Sequence, residues 1–288
     1  MSLPNKINES MELAITRLTD SMCYRILEAD THRTIIVTCW NDNDLNRRAV
    51  AHYLVGLRAC AIDAALNIRA ELEDTPRDRS EIVQSVIHLV GESNDKLTAD
   101  QKQDERNPWI AEGIWHLCMA IAKRRPDIHP VGNIIALNPI HVASKDHGLD
   151  IAAIYQEEEA IFGLSLIESK AYKKDPNGAI GDIVTFFEGV DEGNHATRIR
   201  QAVQVMRASL PANTQGALSK SFWKRRRSYL PNPHYEESCE IDWTRSRPSF
   251  GKLEPDRANI LVMPHMICGF DDFFDNIADE MRSFVRSL

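Results

Sequence analysis

Several signatures of common protein classes are missing from this chain of 288 residues. It contains no G-x-x-x-x-G-K-[ST] phosphate loop and no H-E-x-x-H motif, so we expect it to bind no nucleotide cofactor and to hydrolyse no ATP by itself. No apolar run approaches the roughly eighteen residues of a membrane helix, and the first residues lack the apolar core of a secretory signal. These absences predict a cytoplasmic protein with no membrane span.

Cysteine pairs with metal-binding or redox spacing are also missing. The six cysteines are scattered along the chain, and none forms a C-x-x-C pair. This pattern favours reduced thiols over a disulfide framework or a zinc site.

Positive charge is in short supply, since 34 Lys and Arg stand against 42 Asp and Glu, for a net charge of −8. A protein that holds nucleic acid unaided over a long surface is normally basic. A nuclease needs only a local basic track beside an acidic site, and a partner can supply the rest of the grip. The charge therefore argues against unaided binding over a long surface and does not exclude a nuclease.

The most informative stretch covers residues 150–170. Two short apolar runs, residues 151–155 and 161–167, flank the acidic segment Glu157-Glu158-Glu159. Their length and composition predict two strands joined by a hairpin loop.

This hairpin would bring three charged side chains together. If it is centred near Glu159, Asp150 faces Glu168 across the strand pair. Because side chains alternate along a strand, Glu168 and Lys170 project to one face. The sequence thus predicts two carboxylates and one ammonium at one end of a β-pair.

Such a group of charges suits metal-dependent phosphodiester hydrolysis. Two adjacent carboxylates repel each other unless a hard cation lies between them, and Mg²⁺ or Mn²⁺ accepts such oxygen ligands. The ion can acidify a water molecule and stabilise the charge of a reacting phosphate. Lys170 would then orient the attacking water or neutralise the phosphate. An E-x-K triplet also arises where an exposed strand alternates charges, but Glu168 has apolar neighbours in the sequence.

A further acid, Glu112, lies on a predicted helix before the first core strand. Pro108 opens this helix, which runs to about Ala122, so Glu112 falls in its first turn. Two interpretations stay open: Glu112 helps to hold the metal or the water, or it is a surface residue favoured there by the helix dipole.

The remaining pattern predicts a mixed α/β (α+β) protein. A strand at residues 131–137, the hairpin and a helix from about Ile180 follow the first core helix, giving a central mixed sheet flanked by helices. We expect loops at residues 91–107 and 231–254, then a strand at 259–264 and a final helix from about Phe270. Residues 1–95 are predicted to form a mainly helical N-terminal region with one strand near residues 34–40, and residues 96–288 the core.

Two groups of basic residues are candidates for nucleic-acid contact. Lys173 and Lys174 follow the second hairpin strand, beside the acids. The dense cluster at residues 220–229 interleaves basic and aromatic side chains, which suits phosphates and stacked bases. Its basic members are Lys220, Lys224, Arg225, Arg226 and Arg227. The alternative is a charged surface helix that docks Phe222 and Trp223 into the core.

The spacing of Asp150, Glu168 and Lys170 resembles that of the PD-(D/E)xK nuclease superfamily, with Leu149 in place of its leading Pro. Over most of its length the chain resembles the HamA/AbpA family, the small nuclease subunit of the Hachiman anti-phage system. The similarity is carried by Glu112-Gly113, Gly148-Leu149-Asp150, Glu168-Ser169-Lys170 and two C-terminal segments, residues 258–261 and 269–274.

The resemblance implies a restriction-endonuclease-like core and a DNA-cleaving or DNA-nicking defence effector. It also implies control by a large superfamily-2 helicase partner similar to HamB. In that family pattern Asp150 and Glu168 bind Mg²⁺ or Mn²⁺, Lys170 assists catalysis, and Glu112 is a weaker metal ligand. Two other hypotheses remain: a free-standing restriction-type or repair-type nuclease, and a non-catalytic adaptor that binds DNA or the helicase.

Overall fold

The computed structural model describes residues 1–38, 43–140, 149–219 and 221–288. In these ranges the helices are α1 Leu3–Ser21, α2 Asp44–Arg58, α3 Pro76–Val90, α4 Ala99–Gln101, α5 Asn107–Ala122, α6 Pro176–Asp191, α7 Ala196–Ser209, α8 Ala212–Ala217, α9 Phe222–Arg225 and α10 Phe270–Ser287. The strands are β1 Cys23–Glu28, β2 Arg33–Thr38, β3 Asn133–Leu137, β4 Ile151–Glu158, β5 Ile161–Ala171, β6 Arg227–Glu236, β7 Leu261–Val262 and β8 His265–Ile267. All described helices are too short or too polar to span a lipid bilayer.

A five-stranded mixed sheet lies at the centre of the fold, which is mixed α/β as expected. The strand order is β3-β4-β5-β6-β8. Antiparallel pairing joins β3, β4 and β5, whereas β6 pairs in parallel with β5 and with β8. The long apolar run of β5 is buried from Phe162 to Ser169, which is typical of a strand covered on both faces.

The two faces of this sheet bury two different apolar clusters. Ile151, Ala153 and Ile167 belong to the cluster that contains α5. The residues adjacent to them in the sequence, such as Ala152 and Leu166, point to the opposite face and belong to the cluster that contains α6 and α7. Even-numbered residues of β5 therefore face α6 and α7, which we call the α6–α7 face.

The β4–β5 hairpin has the predicted register. Ile151 pairs with Ile167 and Gln156 with Phe162, so the pair is centred on Glu159 as expected. The register shifts once, between Gln156 and Glu158, and Ala160 in the turn adopts a positive φ of 64°. The prediction of two strands and their alignment is confirmed.

The N-terminal region is less purely helical than predicted. β1 and β2 form an antiparallel hairpin, and β2 pairs in parallel with β7 from the far end of the chain. The expected strand is present as far as Thr38, and its last two residues lie outside the described ranges. One apolar cluster includes Leu3 and Ile7 of α1 together with Phe274 of α10. The two sides of the predicted boundary near residue 95 thus share a core, while the boundary itself stays a prediction.

The predicted loop at residues 91–107 is wrong for its second half. Thr98 caps α4 through a reciprocal pair of hydrogen bonds with Gln101, and the chain continues through a π-helical segment, Lys102–Arg106, into α5. Pro108 explains the irregularity, because it cannot donate to the carbonyl of Asp104 in a regular helix. Glu112 therefore lies well inside a longer helical stretch, and the interpretation from a first-turn dipole does not hold.

The predicted loop at residues 231–254 is also wrong at its start, since β6 extends to Glu236. Prolines normally argue against a central strand. Here the carbonyl of His234 accepts from the N–H of Tyr172, the residue that follows β5, whereas the carbonyl of Pro231 accepts from the Met263 N–H on the other side. Pro231 and Pro233 are thus at the positions whose backbone faces away from β5, so the β5–β6 ladder loses no donor.

Candidate active site

Asp150 and Glu168 lie side by side at the end of the hairpin. Beyond the pair formed by Ile151 and Ile167, the next residues in register are these two acids. The Ser169 backbone N–H donates to Asp150 Oδ2 at 2.8 Å. Asp150 is 9% exposed and Glu168 is 4% exposed. The hairpin thus places two nearly buried carboxylates together.

Lys170 completes the predicted group of three. Strand alternation puts it on the same face as Glu168, and its Nζ donates to Glu168 Oε1 at 2.5 Å. The Lys170 side chain is 29% exposed, whereas the Glu168 side chain is 5% exposed. Of the three residues, Lys170 is therefore the most accessible to a molecule that enters from solvent.

Glu112 adds a third carboxylate from α5. The pKa of Glu112 is raised well above its usual value, first by burial and then by the charges of Asp150 and Glu168. The pKa of Glu168 is likewise raised, to about 8, by burial and by Asp150, while Lys170 acts in the opposite direction. Burial by itself lowers the pKa of Lys170, but the acids outweigh burial and raise it, so Lys170 stays protonated. Three acids thus share one nearby ammonium.

The donor atoms of this group suit a hard divalent cation. Glu168 Oε2 is buried and has no hydrogen-bond partner among the described residues. Carboxylate oxygens are the ligands that Mg²⁺ and Mn²⁺ prefer. Within the described ranges, no group of three or more His, Cys, Asp or Glu side chains is arranged to hold a metal ion by itself. A cation bound here would keep several waters, as Mg²⁺ usually does in proteins.

The acids lie in a cleft of about 1270 Å³ that several separate segments enclose. One wall is the π-helical segment and the start of α5, and another is the β5–α6 connection. Phe186, His195 and Arg198 form a third wall, and the first turns of α10 form a fourth. Catalytic candidates from distant parts of the sequence therefore open into one space.

The cations of the cleft differ in whether an acid already pairs with them. Lys173 bonds to Asp271 of α10 at 2.6 Å, and Arg106 and Lys102 both bond to Asp275 at 2.6 and 3.1 Å. Lys174 and Arg198 are exposed, and within the described ranges neither forms an ion pair. Lys173 and Lys174 line the same cleft as the acids, as predicted. Of the two, only Lys174 can bind an anion without first giving up an ion pair.

The basic cluster at residues 224–227 lies away from this cleft. Arg227 is aligned with Leu164 on β5, whereas Glu168 is aligned with Pro231, four residues further along the strand. Arg226 pairs with Glu157 at 2.6 Å, and Arg227 pairs with Asp191 and Glu254. Lys224 and Arg225 are exposed, and Lys220 lies outside the described residues.

Phe222 and Trp223 are buried in the core beside α6 and α7. This was the alternative expected for the cluster. The structure does not bring these basic residues together with the acids.

Sequence reasoning missed the third and fourth walls of the cleft. Arg198 carried a weak signal, since it lies off the apolar stripe of α7, but nothing local connected it with residue 168. His116, on the same helix as Glu112, is buried and hydrogen-bonds to the Tyr53 hydroxyl and the Asn138 carbonyl.

Compared with protein-family models, curated proteins and solved structures, the chain matches none. The arguments that follow therefore rest on the residues and their geometry.

Proposed function

We propose that this protein is a metal-dependent DNA endonuclease with a PD-(D/E)xK-type site. The observation that carries the proposal is the close association of Asp150, Glu168 and Lys170 on one strand pair, nearly buried and open to a single cleft. Carboxylates that have no structural need to be buried together cost stability, so such a group is a functional-site candidate.

The order of elements supports the same proposal. α5 precedes β3, β4 and β5, and α6 follows them. Helix, three strands and helix is the order expected for the common core of this superfamily, with its acids at the strand pair and on the first helix. A restriction-endonuclease-like core is accordingly part of the proposal.

Each residue has a distinct role in this mechanism. Asp150 and Glu168 would hold the cation, and Glu112 would approach it from α5 or through a water. The cation supplies an acidified water and neutralises charge on the phosphate. Lys170 remains an ammonium and donates to a phosphate oxygen or to the attacking water, because its pKa is raised. The Ser169 N–H fixes the orientation of Asp150.

We further propose that the chain acts with a superfamily-2 helicase subunit as a two-component anti-phage system. The support is the resemblance in sequence, the net charge of −8 and the absence of a phosphate loop. A partner of this kind would supply ATP hydrolysis and the rest of the DNA grip, and would restrain cleavage until it is needed.

Plasmid cleavage tests the proposal directly. Purified protein should cut supercoiled plasmid with Mg²⁺ or Mn²⁺, and Glu168→Gln or Lys170→Met should reduce the rate by at least about a hundredfold. Glu159→Gln is the matched control, since Glu159 is an exposed acid in the turn of the same hairpin. The helicase, where present, should suppress cutting until DNA activates the complex.

Cutting that survives Glu168→Gln and Lys170→Met together would rule out this site. Sequence-specific or structure-specific cutting by the isolated chain, unaffected by a helicase, would favour a free-standing restriction-type or repair-type nuclease.

A second candidate is a non-catalytic adaptor that uses the same fold to bind DNA or the helicase. It is favoured by one observation: both carboxylates already accept a hydrogen bond from the chain itself. The Ser169 N–H donates to Asp150, and Lys170 donates to Glu168. Calorimetric titration with Mn²⁺ separates the two candidates, because the adaptor predicts no binding that depends on Asp150.

A further inference from the structure

Three ring side chains line the cleft in a row along α6. The Tyr172 hydroxyl donates to Asp182 Oδ2 of α6 at 2.6 Å. Phe186 follows Asp182 by four residues, or about 6 Å along the helix axis. The ring of His195 lies 4.6 Å from that of Phe186, centroid to centroid. All three rings line the cleft, and each is at least partly exposed.

A cation stands at each end of this ring row. Lys174 is two residues from Tyr172 and is exposed. Arg198 lies one helical turn beyond His195, and its charge contributes to lowering the pKa of His195, after burial. Two acids near Tyr172 already accept hydrogen bonds from the chain: Asp182 from the Tyr172 hydroxyl and Asp175 from the Gly178 N–H.

The ring row and the catalytic candidates are on the same side of the sheet. Glu168 and Lys170 follow Leu164 and Leu166 at intervals of two residues along β5, and the two leucines pack in the cluster of α6 and α7. They therefore project to the α6–α7 face, where Phe186 and Arg198 border the same cleft. A ligand lying along the rings would lead directly to Lys170.

We propose that the row of Tyr172, Phe186 and His195, with Lys174 and Arg198 at its ends, binds single-stranded DNA and leads it to the acidic site. The rings take the faces of successive bases, and the cations take the backbone phosphates. In a duplex the base faces are covered by their neighbours and cannot reach side-chain rings. This inference rests on the proposed function for the identity of the nucleic acid and adds the strandedness of the substrate.

Equilibrium binding without divalent cation tests the inference separately from cleavage. We would measure the fluorescence anisotropy of a labelled thymidine oligonucleotide of about twelve nucleotides in EDTA. An abasic oligonucleotide of equal length keeps the phosphates but offers no bases. The thymidine strand should bind at least about tenfold more tightly than the abasic strand, because each stacked base contributes roughly that factor or more.

Matched variants assign the effect to the rings and to the cations. Phe186→Leu keeps apolar volume but removes the π face, and should remove most of the difference between the thymidine and abasic strands. Tyr172→Leu should act in the same way, whereas Tyr172→Phe keeps the ring and should bind like the wild type. Arg198→Gln should weaken both strands and lower the salt slope by about 0.7. Arg225→Gln, on the exposed cluster outside the cleft, should change neither.

Equal binding of thymidine and abasic strands by the wild type would overturn the proposal. So would tighter binding of a duplex than of the single strand, or a loss with Arg225→Gln as large as that with Arg198→Gln. A failed nuclease proposal would show instead as uncut plasmid with Mg²⁺ and Mn²⁺, while the binding results in EDTA would stand.

Discussion

The Glu168 carboxyl group is buried among other acids although burial disfavours its charged form. It is nearly buried beside Asp150 and Glu112, and one of its oxygens lacks a hydrogen-bond donor among the described residues. Such a group costs free energy in the folded state, and the ion pair with Lys170 offsets only part of that cost. Burial and the neighbouring acids raise the pKa of Glu168 to about 8, so on our proposal a bound cation takes the place of the proton that this carboxyl otherwise holds.

His129 is buried, and its protonation should make the free energy of unfolding depend on pH. Its Nδ1 lies 2.7 Å from the Gly132 carbonyl and its Nε2 lies 2.8 Å from Ser165 Oγ. Burial lowers the pKa of His129 to about 4. In the unfolded chain the imidazole takes up its proton near pH 6.5, while the folded protein resists protonation down to about pH 4. The free energy of unfolding should therefore fall as the pH drops from 6.5 towards 4.

Urea denaturation at several pH values between 4.5 and 7 measures this effect. His129→Gln should reduce the pH dependence of the free energy of unfolding by about 3 kcal/mol over the full window. The rest of the dependence should remain, because burial also lowers the pKa of other histidines, such as His32 and His116, to about 4. His88→Gln, at an exposed position, should leave the slope unchanged. An unchanged slope in His129→Gln would contradict the assignment.

At the residue scale, the sequence was a good guide wherever contacts follow from alternation. The pairing of Asp150 with Glu168, and the common face of Glu168 and Lys170, needed only the centre of the hairpin and the period of a strand. The position of residues 224–227 could not be obtained in this way. It depends on the parallel alignment of β6 with β5, which the sequence does not encode locally.

At the scale of elements, proline caused the errors in both predicted loops. Pro108 suggested the start of a helix, yet it lies inside a helical stretch that a π-helical segment makes possible. Pro231 and Pro233 suggested a loop, yet they fit β6 because their backbone faces away from β5. The neighbour that decides whether the missing N–H is needed lies directly before Pro108 in the chain, whereas for Pro231 and Pro233 it is β5, which is distant in sequence.

The start of α10 offers a test at this scale. The carboxylate of Glu236 accepts the backbone N–H groups of Gly269 and Phe270, both at 3.0 Å. It thereby caps a helix that supplies one wall of the cleft. Glu236→Ala should lower the free energy of unfolding by about 1–2 kcal/mol, the usual range for a lost helix cap.

Thermal unfolding of Glu236→Ala and of Glu240→Ala checks this expectation. Glu240 is an exposed acid in the same connection and serves as the control. A destabilisation of equal size in both variants would show that the cap contributes nothing of its own.

At the scale of the whole molecule, the N-terminal and C-terminal elements share a sheet and an apolar core. β2 completes its sheet with β7, and α10 packs against α2 and α3. Ile277 and Met281 of α10 are fully buried in the cluster that also holds α1. A fragment of residues 96–288 should therefore expose an apolar helix face and an unpaired strand.

We expect that fragment to be insoluble or to unfold without a cooperative transition. Circular dichroism during heating, compared with the full chain, measures this directly. A sharp transition near the melting temperature of the intact protein would instead establish the predicted boundary near residue 95 as a true domain boundary.

The parallel pairing of β2 with β7 also bears on how the protein is made. Arg33 pairs with Leu261, so the sheet of β1 and β2 is incomplete until residue 261 has been synthesised. The cleft likewise lacks one wall until Phe270 and Asp271 have been synthesised. Contacts this distant in sequence form late in folding. Synthesis therefore has to pass residue 271 before all four walls of the cleft can come together, and on our proposal a shorter copy would be unable to cut DNA.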